Sequence, residues 1–167
     1  MAIDRRNGLK ILVTSAVAML APPRAWAQPV YSSYFNRRYE YSIDYPSDVL
    51  IPQGEAPNGD GQAFVSRDKS AALKVWGEIN ALEKSLAQRY SQASQTGAER
   101  RATYHVLNQR EQWFVVSGTQ GAAIFYQKTM INRELRILNF ILTTPASQSA
   151  EWSAHTQRIA KSFRRDV

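Results

Sequence analysis

The strongest pattern of hydrophobic and polar positions lies between Gln112 and Pro145. Three runs follow one another there: Gln112-Trp-Phe-Val-Val-Ser-Gly-Thr119, then Gln120-Gly-Ala-Ala-Ile-Phe-Tyr-Gln-Lys-Thr-Met-Ile131, then Glu134-Leu-Arg-Ile-Leu-Asn-Phe-Ile-Leu-Thr-Thr-Pro145. They read as three successive strands. The first is apolar at both parities, with Trp113 and Val115 on one side and Phe114 and Val116 on the other. A strand apolar on both faces is covered on both, so this run is expected near the centre of a layered sheet. Gly118 to Gly121 is expected to supply one turn and Asn132-Arg133 the next.

Upstream, Tyr39, Tyr41, Ile43 and Tyr45 alternate with Arg38, Glu40, Ser42 and Asp44, which predicts a half-buried strand stopped by Pro46. Val49 to Ile51 reads as a short apolar plug. Pro57-Asn-Gly-Asp-Gly61 is a loop, because Asn, Asp and Gly favour self-capping turns. Ala63–Ser66 and Ala71–Gly77 then form a hairpin around Arg67–Ser70. Asn80 and Glu83 have the spacing of a capping box, so a helix is expected from Asn80, with Leu82, Leu86, Tyr90 and Ala93 on its apolar face and Gly97 past its end. Ala102–Leu107 is a further strand. A second helix is expected over residues 148–163, with Trp152, Ile159 and Phe163 as its stripe. The predicted class is α+β: one antiparallel sheet of about six to seven strands covered by helices, in a single domain over residues 37–167.

The first 27 residues do not belong to that domain. Arg5, Arg6 and Lys10 precede a short apolar run, Ile11–Ala21, and Ala25-Trp-Ala27 is an A-x-A cleavage signal, so residues 1–27 read as a secretory signal peptide. The apolar run is too short to span a bilayer. Arg5-Arg6-Asn7-Gly8-Leu9 resembles the twin-arginine export motif as well as fitting general secretion. Four of the 21 basic and one of the 14 acidic residues fall in the leader, so the remainder carries 17 against 13, a net charge of +4. Arg37-Arg38, Arg100-Arg101 and Arg164-Arg165 read as solvated edges, and this mild, dispersed basicity argues against nucleic acid as a partner. The chain has no cysteine, which excludes disulfides, thiolate catalysis and cysteine metal sites. These features predict a periplasmic protein with no transmembrane segment once the leader is removed.

Candidate chemistry is sparse. His105 and His155, the two histidines, lack the spacing of a metal pair and read as a sheet-face and a core-rim residue. Ser117 is not set in a nucleophile elbow, although a Ser117–His105–Asp60 triad can be written. Asp44 and Asp48 flank a proline and do not read as paired carboxylates. Asn58 and Asp60 offer oxygens to calcium without the ligand pattern of an EF-hand loop. No cofactor is expected. Five of the eight tyrosines lie between residues 31 and 45. Tyr39, Tyr41 and Tyr45 are expected inward. Tyr31, Tyr34 and Phe35, in a flexible lead over residues 28–36, are expected to be available to a partner, since tyrosine joins apolar area to a hydrogen-bonding tip.

Several short motifs together resemble a family of exported bacterial proteins of unassigned function. They are Tyr41-Ser-Ile-Asp-Tyr-Pro46, Leu50-Ile-Pro-Gln53, Asn58-Gly-Asp-Gly61 with Phe64 and Ser66, Leu73-Lys-Val-Trp-Gly77, Trp113-Phe-Val-Val-Ser-Gly118, Ile124-Phe-Tyr-Gln-Lys128 and Arg158-Ile-Ala-Lys-Ser-Phe163. The architecture is similar to the PsbP-like fold, also seen in the Ran-binding Mog protein; the last strand ends in Thr144-Pro145 where Tyr-Pro is usual. The resemblance implies a non-catalytic accessory or binding module whose partner is a protein or envelope component, and it assigns no substrate. Tyr31, Tyr34, Phe35, Asn58 and Asp60 are the expected contact residues. A small periplasmic hydrolase using Ser117 or His105, and a calcium-dependent adaptor, are the alternatives.

Overall fold

The computed structural model describes residues 28–132, 134 and 136–165. The expected signal peptide, residues 1–27, lies outside the described residues. The strands are β1 (Tyr31–Asn36), β2 (Tyr41–Pro46), β3 (Leu50–Glu55), β4 (Gly61–Ser66) and β5 (Ala72–Ile79). Helix α1 (Leu86–Ala93) follows, then β6 (Arg100–Asn108), β7 (Trp113–Gln120), β8 (Ala123–Ile131) and β9 (Arg136–Pro145). A short 3-10 turn leads into α2 (Ser149–Ser162), and β10 (Arg164–Arg165) closes the described chain.

The strands form two sheets. The larger has seven strands in the order β3-β4-β5-β9-β8-β7-β6, every pairing antiparallel. The smaller has the order β1-β2-β10. The class is therefore α+β with an antiparallel sheet of the expected size, and a second sheet joins the covering layer.

Alternation along β5, β7, β8 and β9 sends successive side chains to opposite faces. One face carries Leu73, Val75, Met130, Leu138, Phe140 and Leu142, packed under Tyr41 and Ile43 of the small sheet and under Trp152, Ile159 and Phe163 at α2. The other face carries Phe114, Val116, Phe125, Ile131 and Ile137, packed under Leu86 of α1 with Tyr90 and Ala93 against them. Phe114, Val115 and Val116 are all buried, so β7 is covered on both sides as its composition predicts. β6 is one of the two edge strands, β3 being the other, and Tyr104 on it is 55% exposed.

The turn expected over Gly118–Gly121 is narrower than that. β7 runs to Gln120, and Gly121 alone adopts positive φ, at 57°. Gly118 is required for another reason: a Cβ there would stand 1.9 Å from the Arg101 carbonyl oxygen, beside a register shift between Ala102 and Tyr104.

Two other expectations are corrected. The lead over residues 28–36 is not flexible throughout, because Tyr31–Asn36 pairs with Tyr41–Pro46 along its whole length. The first helix does not start at Asn80. Ser85 caps it: its hydroxyl accepts from the Gln88 backbone N–H, and the Gln88 side chain accepts from the Ser85 N–H. Asn80 instead ties down a loop through Lys84, Glu83 takes positive φ, and Leu82 is 75% exposed.

Candidate binding site

β1 and the turn at 57–60 meet around one side chain, Asn36, which is wholly buried. Its Nδ2 donates to the Tyr34 hydroxyl at 3.0 Å, Glu55 Oε1 at 3.1 Å and the Gly59 carbonyl at 3.0 Å. Its Oδ1 accepts from the Tyr39 backbone N–H at 2.9 Å. A buried amide with its capacity filled in this way fixes the parts it touches, since breaking any link leaves a desolvated polar group. The parts are β1, the end of β3 and the loop.

Other bonds complete the corner. The Tyr34 hydroxyl donates to Glu55 Oε1 at 2.8 Å, and the Tyr41 hydroxyl donates to the Asp60 carbonyl at 3.1 Å. Arg38 Nη1 donates to the Asn58 carbonyl. Burial pushes the Tyr34 hydroxyl up to about 12, the Asn36 donation opposing it, and burial raises the Tyr41 hydroxyl further. Both phenols therefore stay neutral donors across the physiological range. The corner is held by hydrogen bonds, of which those to the Glu55 carboxylate and from the Arg38 guanidinium are charge-assisted.

The sequence-nominated residues divide as follows. Tyr34, Asn58 and Asp60 belong to this corner. Asn58 Nδ2 donates to Asp60 Oδ2 at 2.6 Å, so those two side chains serve each other. Tyr34 faces inward, with its ring edge-on to Tyr41 and Phe64. Phe35 points to the opposite side of β1 and is 49% exposed. Tyr31, at the far end of the strand, shares a 2.6 Å hydrogen bond with His155 Nδ1, and the Arg158 guanidinium lies 3.8 Å over its ring. Burial lowers the His155 pKa, with nearby Asp48 acting against it. Asn36, Glu55 and Arg38 were not foreseen. Asn36 shares its parity with Tyr34 on β1, which is the signal that could have found it.

The written triad is not assembled. His105 pairs across from Val116 and contacts Tyr90 and Ser94 on the α1 side, whereas Ser117 lies on the other side and donates to the Phe125 carbonyl at 2.8 Å. Asp60 lies in the 57–60 turn with Asn58. Asp44 accepts from Ser33 and stands 3.8 Å from Arg158, while Asp48 borders a separate cavity near His155. Among the described residues no three His, Asp or Glu side chains are placed to share a metal ion, and no helix is long and apolar enough to cross a membrane.

The sequence matches no protein-family model and no curated protein. Its fold is that of solved structures. The solution structure of cyanobacterial PsbP (CyanoP) from Synechocystis sp. PCC 6803 superposes with a TM-score of 0.58 at 16% identity, covering 87% of this chain and 98% of that one. The crystal structure of the Ran-binding protein Mog1p from Saccharomyces cerevisiae gives a TM-score of 0.56 at 10% identity, covering 83% and 96%. The chain therefore has the PsbP/Mog fold that its motifs suggest.

Proposed function

We propose that this chain is an accessory protein of the periplasm, exported by its leader, that works by holding a protein or envelope component against the corner of β1 and the 57–60 turn. The carrying observation is the fully buried Asn36, which fixes β1 against the 57–60 turn while its neighbour Phe35 stands exposed on the other side of the strand. A rigid exposed aromatic loses little conformational freedom on binding and makes a natural anchor for a partner. The fold supports the same reading, since one structure that shares it is a Ran-binding protein. A hydrolase has no comparable support, because Ser117 and His105 are separated by the sheet. A calcium adaptor has none either, because Asp60 and Asn58 bond to each other.

The test is site-specific photo-crosslinking in intact cells, with the crosslinking residue at position 35 or, as control, at the exposed position 82. A discrete adduct is expected at 35 and not at 82. Phe35→Asp is expected to weaken that complex by about 2 kcal/mol or more without moving the thermal midpoint. Adducts at 82 alone, or a complex indifferent to Phe35→Asp, would show that the partner docks elsewhere.

A further inference from the structure

The opposite face of the large sheet holds a cavity of about 380 Å³ under α1, walled by Trp76, Phe114, Ile141, Arg89 and Arg100. Its floor is polar at positions where the surrounding sheet is apolar. Thr129 and Asn139 face each other in register across β8 and β9, are 2% and 5% exposed, and share a 2.8 Å hydrogen bond from Thr129 Oγ1 to Asn139 Oδ1. Gln127 continues the line, accepting from Arg100 Nη2 at 3.4 Å and lying 3.5 Å from the Thr129 hydroxyl.

Both arginines are held as if for a guest. Arg100 donates to the Ala93 carbonyl at the end of α1 and its guanidinium carbon lies over the Phe125 ring, 4.0 Å from the centroid, where burial lowers its pKa. Arg89 donates Nη1 to Glu78 at 2.8 Å and Nη2 to Asn80 at 2.9 Å, while its buried Nε has no partner among the described residues. Two guanidinium groups face one carboxylate, so the walls carry a net positive charge. A buried guanidinium N–H without a partner and a polar strip sunk into an apolar sheet both cost stability unless a ligand satisfies them. The volume falls within the range of small-molecule pockets.

We infer that this cavity is a binding site for a small organic anion. A carboxylate head would lie between Arg89 and Arg100, which suit planar two-point recognition, and a flat apolar body would lie along Trp76 and Ile141. The site is separate from the β1 corner, so either can fail without the other.

The experiment titrates the purified protein with benzoate and follows the Trp76 indole and the Gln127 and Asn139 side-chain amides by NMR. Benzamidine, of the same shape and opposite charge, and inorganic phosphate, an anion with no apolar body, are titrated in parallel. Saturable shifts with benzoate and weaker ones with the other two are expected. Arg100→Gln should weaken benzoate about tenfold or more. Glu78→Gln, which removes the competing carboxylate and releases Arg89 Nη1, should tighten it several-fold, a gain that a misfolded variant cannot produce. The inference is overturned if neither the native chain nor Glu78→Gln gives saturable shifts, if benzamidine or phosphate binds as well as benzoate, or if Arg100→Gln leaves benzoate binding unchanged.

Discussion

The two faces of the large sheet are made by the same strands with the same alternation, yet they are finished in opposite ways. On β9, Leu138, Phe140 and Leu142 go to the face beneath the small sheet and α2, and all are buried among apolar neighbours. The residues between them, Ile137, Asn139 and Ile141, go to the α1 face, and the central one is an asparagine bonded to a threonine. Continuous apolar burial is the main favourable term in folding, so the α2 face, with the larger buried cluster, supplies the greater share of it. The α1 face gives up part of that term at its middle. A two-turn helix with Leu86 as its buried residue covers it, and a charged cavity remains. One face reads as structure and the other as structure with a site let into it.

The largest test of that contrast is Phe140→Ala. Phe140 is fully buried, edge-on to Phe163 at 5.1 Å and stacked on Tyr126. Removing it should cost about 3–5 kcal/mol in denaturant unfolding. Ile141→Ala, the next position on the opposite face, should cost clearly less, because Ile141 is already part of a cavity wall. Equal losses at the two positions would erase the distinction.

A smaller and sharper test is the pair at the cavity floor. Thr129→Val leaves Asn139 Oδ1 buried without its donor and should cost about 1–3 kcal/mol. Adding Asn139→Leu should recover most of that loss, since removing both partners of a buried pair can be nearly neutral. A double variant destabilised by the sum of the singles would mean that the polar strip serves stability, contrary to the contrast drawn between the faces.

How far the two faces were legible in the sequence follows the same division. Phe114, Val115 and Val116 announced a strand covered on both sides, and Trp152, Ile159 and Phe163 announced the second helix, because both signals are local and periodic. The first helix was placed too early because Asn80…Glu83 and Ser85…Gln88 both match a capping box, and only tertiary packing of Leu86 against Phe114 and Phe125 chooses between them. β1 has too mixed a pattern, Tyr-Ser-Ser-Tyr-Phe-Asn, to show its pairing. The corner depends on Asn36, Glu55 and Gly59, which are brought together by two turns and a strand and share no motif. Arg100 was read with Arg101 as a solvated doublet, yet it lies over Phe125 with its guanidinium partly buried. A single strand cannot show that its polar residues line a cavity rather than face solvent.

The smallest effects should appear with pH, and they belong to the side of the molecule that carries β1. Burial raises the folded pKa of Tyr34 to about 12 from an ordinary 10, so the folded chain retains that proton more tightly than the unfolded chain does. The stabilisation is complete below about pH 10 and is lost as pH rises towards 12. Tyr34→Phe should flatten that alkaline limb, and the phenolate absorbance of the native chain minus that of the variant isolates the Tyr34 titration among the eight tyrosines.

His155 acts in the other direction and more weakly, being half-buried. Its lowered pKa means that the unfolded chain binds the proton first, so the stabilisation is present above about pH 6.5 and declines as pH falls below it. In the neutral tautomer whose Nδ1 accepts from the Tyr31 hydroxyl, protonation turns Nδ1 into a donor, and the 2.6 Å contact then requires that hydroxyl to rotate and accept. Nearby Asp48 favours the added charge, while burial opposes it. Thermal midpoints measured on acidification should therefore fall more steeply for the native chain than for His155→Gln. The carboxylates common to both proteins cancel in that difference, which isolates the contact joining β1 to α2. The reverse ordering would show that the Tyr31–His155 contact is not the acid-sensitive one.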